Sequence, residues 1–285
     1  WLNTLHGVHF LNPATGWAVG ASGTVFKTGD GGVNWNQYQV GNGQMTLLAV
    51  TAQTNNDVFV VDNNGDMWSS EDGGESWNEV APGTDGNVSG PLLAITTAEG
   101  ENSPLWAVGN DSVLVTYMNG DNGYDRSPLC DEGTDCPDLH DVQLISGADG
   151  LWLGWAVGSS ATVMARQPTT DQWLTATLAS GNNPPTLRAV DFTDGDNGWI
   201  VGNGMQLWRT SDGAQNWTHE GDTEQHSFNL EQIGLAKGWP ELHDVDFTHP
   251  LRGLAVGNNG TILVAAPDDD DDTTTDTESE CDNGQ

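Results

Sequence analysis

"LHGVHFLNPATGWAVGASGTVFKTGDGGVNW" occupies Leu5–Trp35 and is the first copy of a repeated pattern. It holds three short runs rich in Val, Trp and Phe, "LHGVHF", "GWAVG" and "TVFKT", separated by Asn, Pro, Gly and Ser. Short β-prone runs between turn residues read as strands. The script then recurs. An opening Leu stands at Leu5, Leu47, Leu92, Leu139, Leu187 and Leu242, each with Val or Ile three places on. A second run follows each, such as "VFVVD" at Val58–Asp62 and "GWIVG" at Gly198–Gly202, and then a third. Successive opening leucines lie 42, 45, 47, 48 and 55 residues apart. No window sustains helical apolar spacing. About four strands every 40–50 residues is the pattern of a propeller blade.

The expected fold is therefore all-β: a β-propeller of six four-stranded blades over residues 1–266. Trp17, Trp106, Trp155 and Trp199 fill the space between blades in this reading. The sixth repeat stops after its third strand, at Ala265, while the chain opens on "WLNT". Trp1–Thr4 is expected to complete the sixth blade and close the ring, since an unpaired blade edge leaves backbone groups open. If the N-terminus is trimmed, the alternative is seven blades.

Three units at the end of a third strand share a hydroxyl residue, an Asp two places on and a Trp five places later. They are Thr28/Asp30/Trp35, Ser70/Asp72/Trp77 and Thr210/Asp212/Trp217, with Gly32 and Gly74 inside the first two. These triplets resemble the Asp-box of BNR-type repeat propellers. The fuller script is most similar to the photosystem II assembly and stability factor-like family, over about Leu5–Ala265. The resemblance implies that the Asp-box carboxylate ties the turn between third and fourth strands while the Trp packs into the blade. The residues agree, because Asp readily binds its own turn and Gly tolerates the backbone angles. The motif also decays along the chain: Arg126 stands in the Trp place of repeat three, repeat four keeps only Trp173, and Ala214 replaces Gly in repeat five. Graded loss suits replaceable turn ties better than catalytic acids.

Charge excludes some functions. Of 285 residues, 41 are acidic and 7 basic, a net −34. Nucleic acid is not an expected partner, since phosphate binding needs Lys and Arg. No apolar run approaches the length of a spanning helix. Residues 267–285, "PDDDDDTTTDTESECDNGQ", read as a disordered acidic linker to a further domain or anchor. Cys130 and Cys136 share one loop and suit a local disulfide, which places the protein in an extracytoplasmic, oxidising setting. Cofactors are not expected. Calcium is the one ion that acidic loops such as Thr193–Gly198 invite, although none has the spacing of a twelve-residue calcium loop.

The residue after each opening Leu is His6, Leu48, Leu93, His140, Arg188 and His243. In a propeller this position begins the innermost strand, near the mouth of the central channel. His6, His140, Arg188 and His243 would thus gather cationic or metal-capable side chains around one opening. The structural alternative is that each imidazole bonds a neighbouring blade's backbone and tightens the ring. Sialidases share the Asp-box repeat, but their arginine triad and Tyr nucleophile have no counterparts in pattern here. The expectation is a non-enzymatic, extracytoplasmic propeller that binds or scaffolds another protein. The alternative is a glycan-binding or glycoside-hydrolysing, sialidase-like propeller.

Overall fold

The computed structural model describes residues 3–81, 90–98, 103–118, 125–130, 136–147, 150–178, 184–220, 229–232 and 241–266. The acidic tail and Cys281 lie outside them. The described chain is nearly all-β: six four-stranded antiparallel sheets, with four short 3-10 turns. Sheet one comprises Leu5–Phe10, Gly16–Gly20, Thr24–Thr28 and Asn36–Gln39, paired in that order. Sheets two to five repeat this order from inner strands Leu47–Ala52, Leu92–Thr97, Leu139–Ser146 and Leu187–Phe192.

Sheet six departs from the expected closure. Its inner three strands are Leu242–His249, Arg252–Gly257 and Thr261–Ala266, and its outer strand is Asn229–Gln232, paired antiparallel to Thr261–Ala266. The outer place expected for Trp1–Thr4 is thus taken by Asn229–Gln232, while Trp1 and Leu2 lie outside the described residues. Thr4 accepts the Ala21 N–H, and Asn3 donates to Thr24 Oγ1, so these two residues lie against sheet one. The 55-residue spacing between Leu187 and Leu242 contains the extra strand.

Each inner strand packs on the next, from sheet one to sheet six. Five apolar clusters fill the five junctions. Trp17 and Trp199 are wholly buried in them, and Trp155 and Trp199 stack flat on Phe192 and Phe247 of the following sheets at 3.6 and 4.3 Å between ring centroids. Trp17 also donates across a junction to the Gly73 carbonyl at 2.9 Å. Arg166 and Arg209 lie over Trp106 and Trp199 at 5.2 and 5.4 Å, covering core indoles with a cation. Among the described residues no apolar cluster joins sheet six to sheet one.

A close approach explains the glycine ending most second strands. A Cβ at Gly158 or Gly202 would run into the carbonyl of Asp138 or Thr186, just ahead of the inner strand. Any side chain there would push the first two strands apart.

Candidate functional site

The six opening segments share an irregularity that the sequence pattern implies in hindsight. In sheets two to six the Leu and the Val or Ile three places on are both buried, which a strict two-residue period forbids. The ladder resolves this with a β-bulge. Leu139 pairs with Gly158 and Asp141 with Val157, so His140 is the extra residue. The same shift brackets His6, Leu48, Leu93, Arg188 and His243. Bulges re-aim a side chain away from the regular ladder. The register also fixes which end of the sheets these residues occupy. In sheet one, Leu5 lies across from Gly20 and Gly20 from Thr24, whereas Thr28, which begins the Asp-box, lies across from Gly16. The bulge residues and the Asp-boxes are at opposite ends.

Three of the bulge residues bond their own sheet rather than a neighbour's backbone. His140 Nε2 shares a hydrogen bond with Ser159 Oγ at 3.2 Å, Arg188 Nε donates to Asn203 Oδ1 at 2.9 Å, and His243 Nε2 meets Asn258 Oδ1 at 2.6 Å. Ser159, Asn203 and Asn258 each follow the glycine that ends the second strand. His6 is exposed, as is His243, while His140 and Arg188 are half-buried. Burial lowers the His140 pKa, the positive Arg188 lowers it further, and Asp138 opposes them. His140 is therefore neutral near pH 7, leaving Arg188 as the fixed charge of the pair. Their partners Ser159 and Asn203, though not His140 and Arg188 themselves, line two open clefts, the first with Pro137, Asp138, Thr162 and Thr177, the second with Pro185, Thr186, Gly204 and Gln206. The turn bordering the first cleft holds Ser160 at φ 59° and Ala161 at φ 55°, unusual angles for residues with side chains.

The Asp-boxes occupy the other end. Thr28 Oγ1 donates to Asp30 Oδ1 and accepts the Gly32 N–H, both at 2.9 Å. Asp30 then accepts both the backbone N–H and the side-chain amide of Asn34, at 2.8 and 2.7 Å. Asp72 and Asp212 do the same with Ser76 and Asn216. The donor four places after the Asp is a member of the unit that the sequence reading missed, although its signal was present as Asn, Ser and Asn at one offset. Trp35 and Trp77 close their turns by donating to the Gly32 and Gly74 carbonyls at 2.9 and 3.1 Å. Trp217 does not: its Nε1 is buried and unpaired where Ala214 replaces glycine. Cys130 and Cys136 are joined by a disulfide. Among the described residues no cluster of His, Cys, Asp and Glu could hold a metal ion, and no helix is long and apolar enough to cross a membrane.

The carboxylates beside the bulges were also overlooked as ties. Asp141 accepts the Val190 N–H of the next sheet at 2.9 Å and its own neighbour Val142 N–H at 2.8 Å. Asp191 accepts the Phe247 N–H of sheet six at 2.6 Å and the Gln143 amide of sheet four at 2.7 Å. Desolvation raises both, Asp141 to about 7 and Asp191 to about 6, against the backbone donors that favour the ionised form.

No family model matches the sequence, and no curated protein matches it. Solved structures do. The chain is similar to YCF48 bound to D1 peptide, at 17% identity and TM-score 0.58, over 93% of this chain and 92% of that one. YCF48 from Cyanidioschyzon merolae matches at 17% identity and TM-score 0.57, over 94% and 96%. The Niastella koreensis GH74 enzyme matches at 14% identity and TM-score 0.65, over 91% of this chain but only 44% of the enzyme. The fold is similar to that of YCF48. The resemblance first carried by the repeat script thus extends to three dimensions. At these identities the likeness concerns the fold, and one such fold carries both a peptide binder and an enzyme.

Proposed function

We propose that the protein is a non-enzymatic, extracytoplasmic propeller module that binds another protein at the end of the sheets carrying the bulge residues. The observation behind this reading is the row of His140, Arg188 and His243 at one end of the sheets, whose partners Ser159 and Asn203 line two open clefts. On a chain of net charge −34, Arg188 sets one fixed positive charge in that row. Asn203 holds the Arg188 guanidinium by its Nε, which leaves the terminal nitrogens to pair with a carboxylate in bidentate fashion. A peptide with an acidic side chain or a free C-terminus has the matching chemistry. YCF48, with a peptide bound, supports the general mode. The Cys130–Cys136 disulfide supports an oxidising compartment, and the acidic segment 267–285 has the composition of a linker to a further domain or anchor.

The test is capture of peptides from a displayed library by the whole protein. His140→Ala with Arg188→Ala is expected to weaken binding at least tenfold while the melting temperature stays nearly unchanged. Normal binding by a double variant that melts several degrees lower makes the row structural. The likeness to a GH74 enzyme keeps a glycan reading as the rival. Turnover of reporter glycosides, or selective glycan-array binding, would replace the proposal.

A further inference from the structure

We infer that the outer edge of sheet four, Trp173–Thr177, is a docking site for an extended, uncharged or basic segment of another protein, which adds to the sheet as a fifth strand. The register shows which backbone groups are on offer. Gln167 N–H donates to the Gln172 carbonyl at one end of the outer hairpin, and Leu178 N–H donates to the Ala161 carbonyl at the other. Between them Arg166 lies across from Trp173 and Thr162 from Thr177. Bonded and open pairs alternate along an antiparallel ladder. Leu174 and Ala176 therefore bond inward, while the N–H and C=O of Trp173, Thr175 and Thr177 point away from the sheet. Among the described residues no strand lies beyond them.

Each sheet has such an edge, and proteins blunt edges with short strands, charges and proline. Asn78–Val80 is three residues long and carries Glu79, and Thr218–His219 is two residues long and runs into Glu220. Asp125–Pro128 has two charged residues and a proline, and Asn229–Gln232 has Glu231. Asn36–Gln39 is uncharged, but it is shorter than the edge of sheet four, and its Gln39 amide is tied back to the Ser22 carbonyl. Trp173–Thr177 has five residues, no charge and no proline. The uncharged stretch runs on from Gln172 to Leu187, in a chain where 17% of residues are charged.

Side chains suit an added strand. Trp173 packs on Trp106 of sheet three at 5.4 Å between ring centroids, and Leu178 packs against the cluster between sheets four and five. Alternation therefore puts Thr175 and Thr177 on the sheet-three face of the edge, and Leu174 and Ala176 on the sheet-five face. All four are exposed, Leu174 at 54%. A strand of alternating β-branched residues would cover the leucine on one face and meet the threonines on the other. Backbone bonds then supply affinity, and the alternate side chains supply selectivity. Charge selects the occupant. A second copy brings another net −34 to the contact, whereas an uncharged or basic segment avoids that repulsion. Thr177 also lines the first cleft, so the added strand runs toward the end of the sheets proposed to bind protein.

The test titrates the whole protein into a labelled peptide, Lys-Thr-Val-Thr-Val-Thr-Lys, at about 0.15 M salt. Saturable binding is expected. Thr175→Pro removes an outward N–H and no ladder bond, so it should weaken binding at least tenfold and leave the melting temperature nearly unchanged. No saturable binding by the parent protein overturns the inference. So does equal binding of a peptide with proline in place of its central threonine, since charge alone then explains the attraction. Should Thr175→Pro unfold the protein, two probes N-methylated at alternate sets of amides decide. Strand addition requires one set to abolish binding and the other to spare it, and equal effects overturn it. His140→Ala with Arg188→Ala should bind the probe normally, which separates this edge from the row of bulge residues; loss of probe binding in that folded variant overturns the inference. A concentration-dependent dimer that Thr175→Pro dissociates also overturns it, by making a second copy the occupant.

Discussion

Asp72 illustrates how much one exposed carboxylate can organise. Its pKa lies far below the ordinary carboxylate range, because the Ser76 hydroxyl, the Ser76 N–H and the Ser70 hydroxyl all donate to the charged form. Asp30 and Asp212 are lowered too, by Asn34 and Asn216 first. A lowered acid stabilises the fold above its unfolded pKa and loses that contribution as pH falls through the folded value. Asp72→Ala is therefore expected to lower the melting temperature by a few degrees at neutral pH, with a smaller penalty near pH 3, and to leave ligand binding intact. Calorimetry at the two pH values checks it. Ala214 sits at φ 72°, where its box-one and box-two counterparts are glycine. Ala214→Gly should stabilise by about 1 kcal/mol, since the replacement removes a left-handed alanine; unchanged or lower denaturant resistance would contradict this.

At the scale of elements, the junctions between sheets four, five and six are tied by buried carboxylates whose protonation changes near neutrality. Asp141 and Asp191 have folded pKa values of about 7 and about 6, above their ordinary value. The folded form therefore holds protons that the unfolded chain has released. Their contribution is fully present below about pH 4 and is lost as pH rises through about 6 to 7. Together with the opposite behaviour of the Asp-boxes, this places the melting maximum in mildly acidic solution, with a decline from about pH 5 to pH 8. Asp141→Asn keeps one acceptor oxygen and cannot ionise, so it should flatten that decline. A variant with the parental slope would remove Asp141 as its source. These ties were hidden in sequence. "LHDV" at Leu139 announces a strand, but nothing local says that the Asp oxygen will reach a backbone N–H 49 residues away.

For the whole molecule, the dominant unscreened term is charge: net −34 on 285 residues opposes compaction. Raising salt from about 0.01 M to about 0.15 M shortens the screening length from roughly 30 Å to 8 Å. The melting temperature should rise by several degrees over that range and should not respond to sucrose in the same proportion. A flat salt dependence would mean that the carboxylates are spaced widely enough not to repel.

Local chemistry made part of this protein legible from its residues alone. Strand runs, turns, the repeat, the core tryptophans and the hydroxyl–Asp–Trp units all rest on alternation and on hydrogen bonds spanning two to five residues. Two inner features were legible yet unread: the bulge, written in the three-residue Leu-to-Val spacing, and the donor four places after each box Asp. Tertiary structure alone decided the rest. Asn229–Gln232 takes the edge of Thr261–Ala266 that the repeat pattern assigned to the chain's start, because strand pairing joins segments by position in space and many intervening lengths fit. Whether sheet six reaches sheet one depends on the sum of five packing angles, each set by side chains from two different repeats. No single repeat contains that angle, so the exposed Leu5, Val8, Leu254 and Ile262 read in sequence as core like their counterparts.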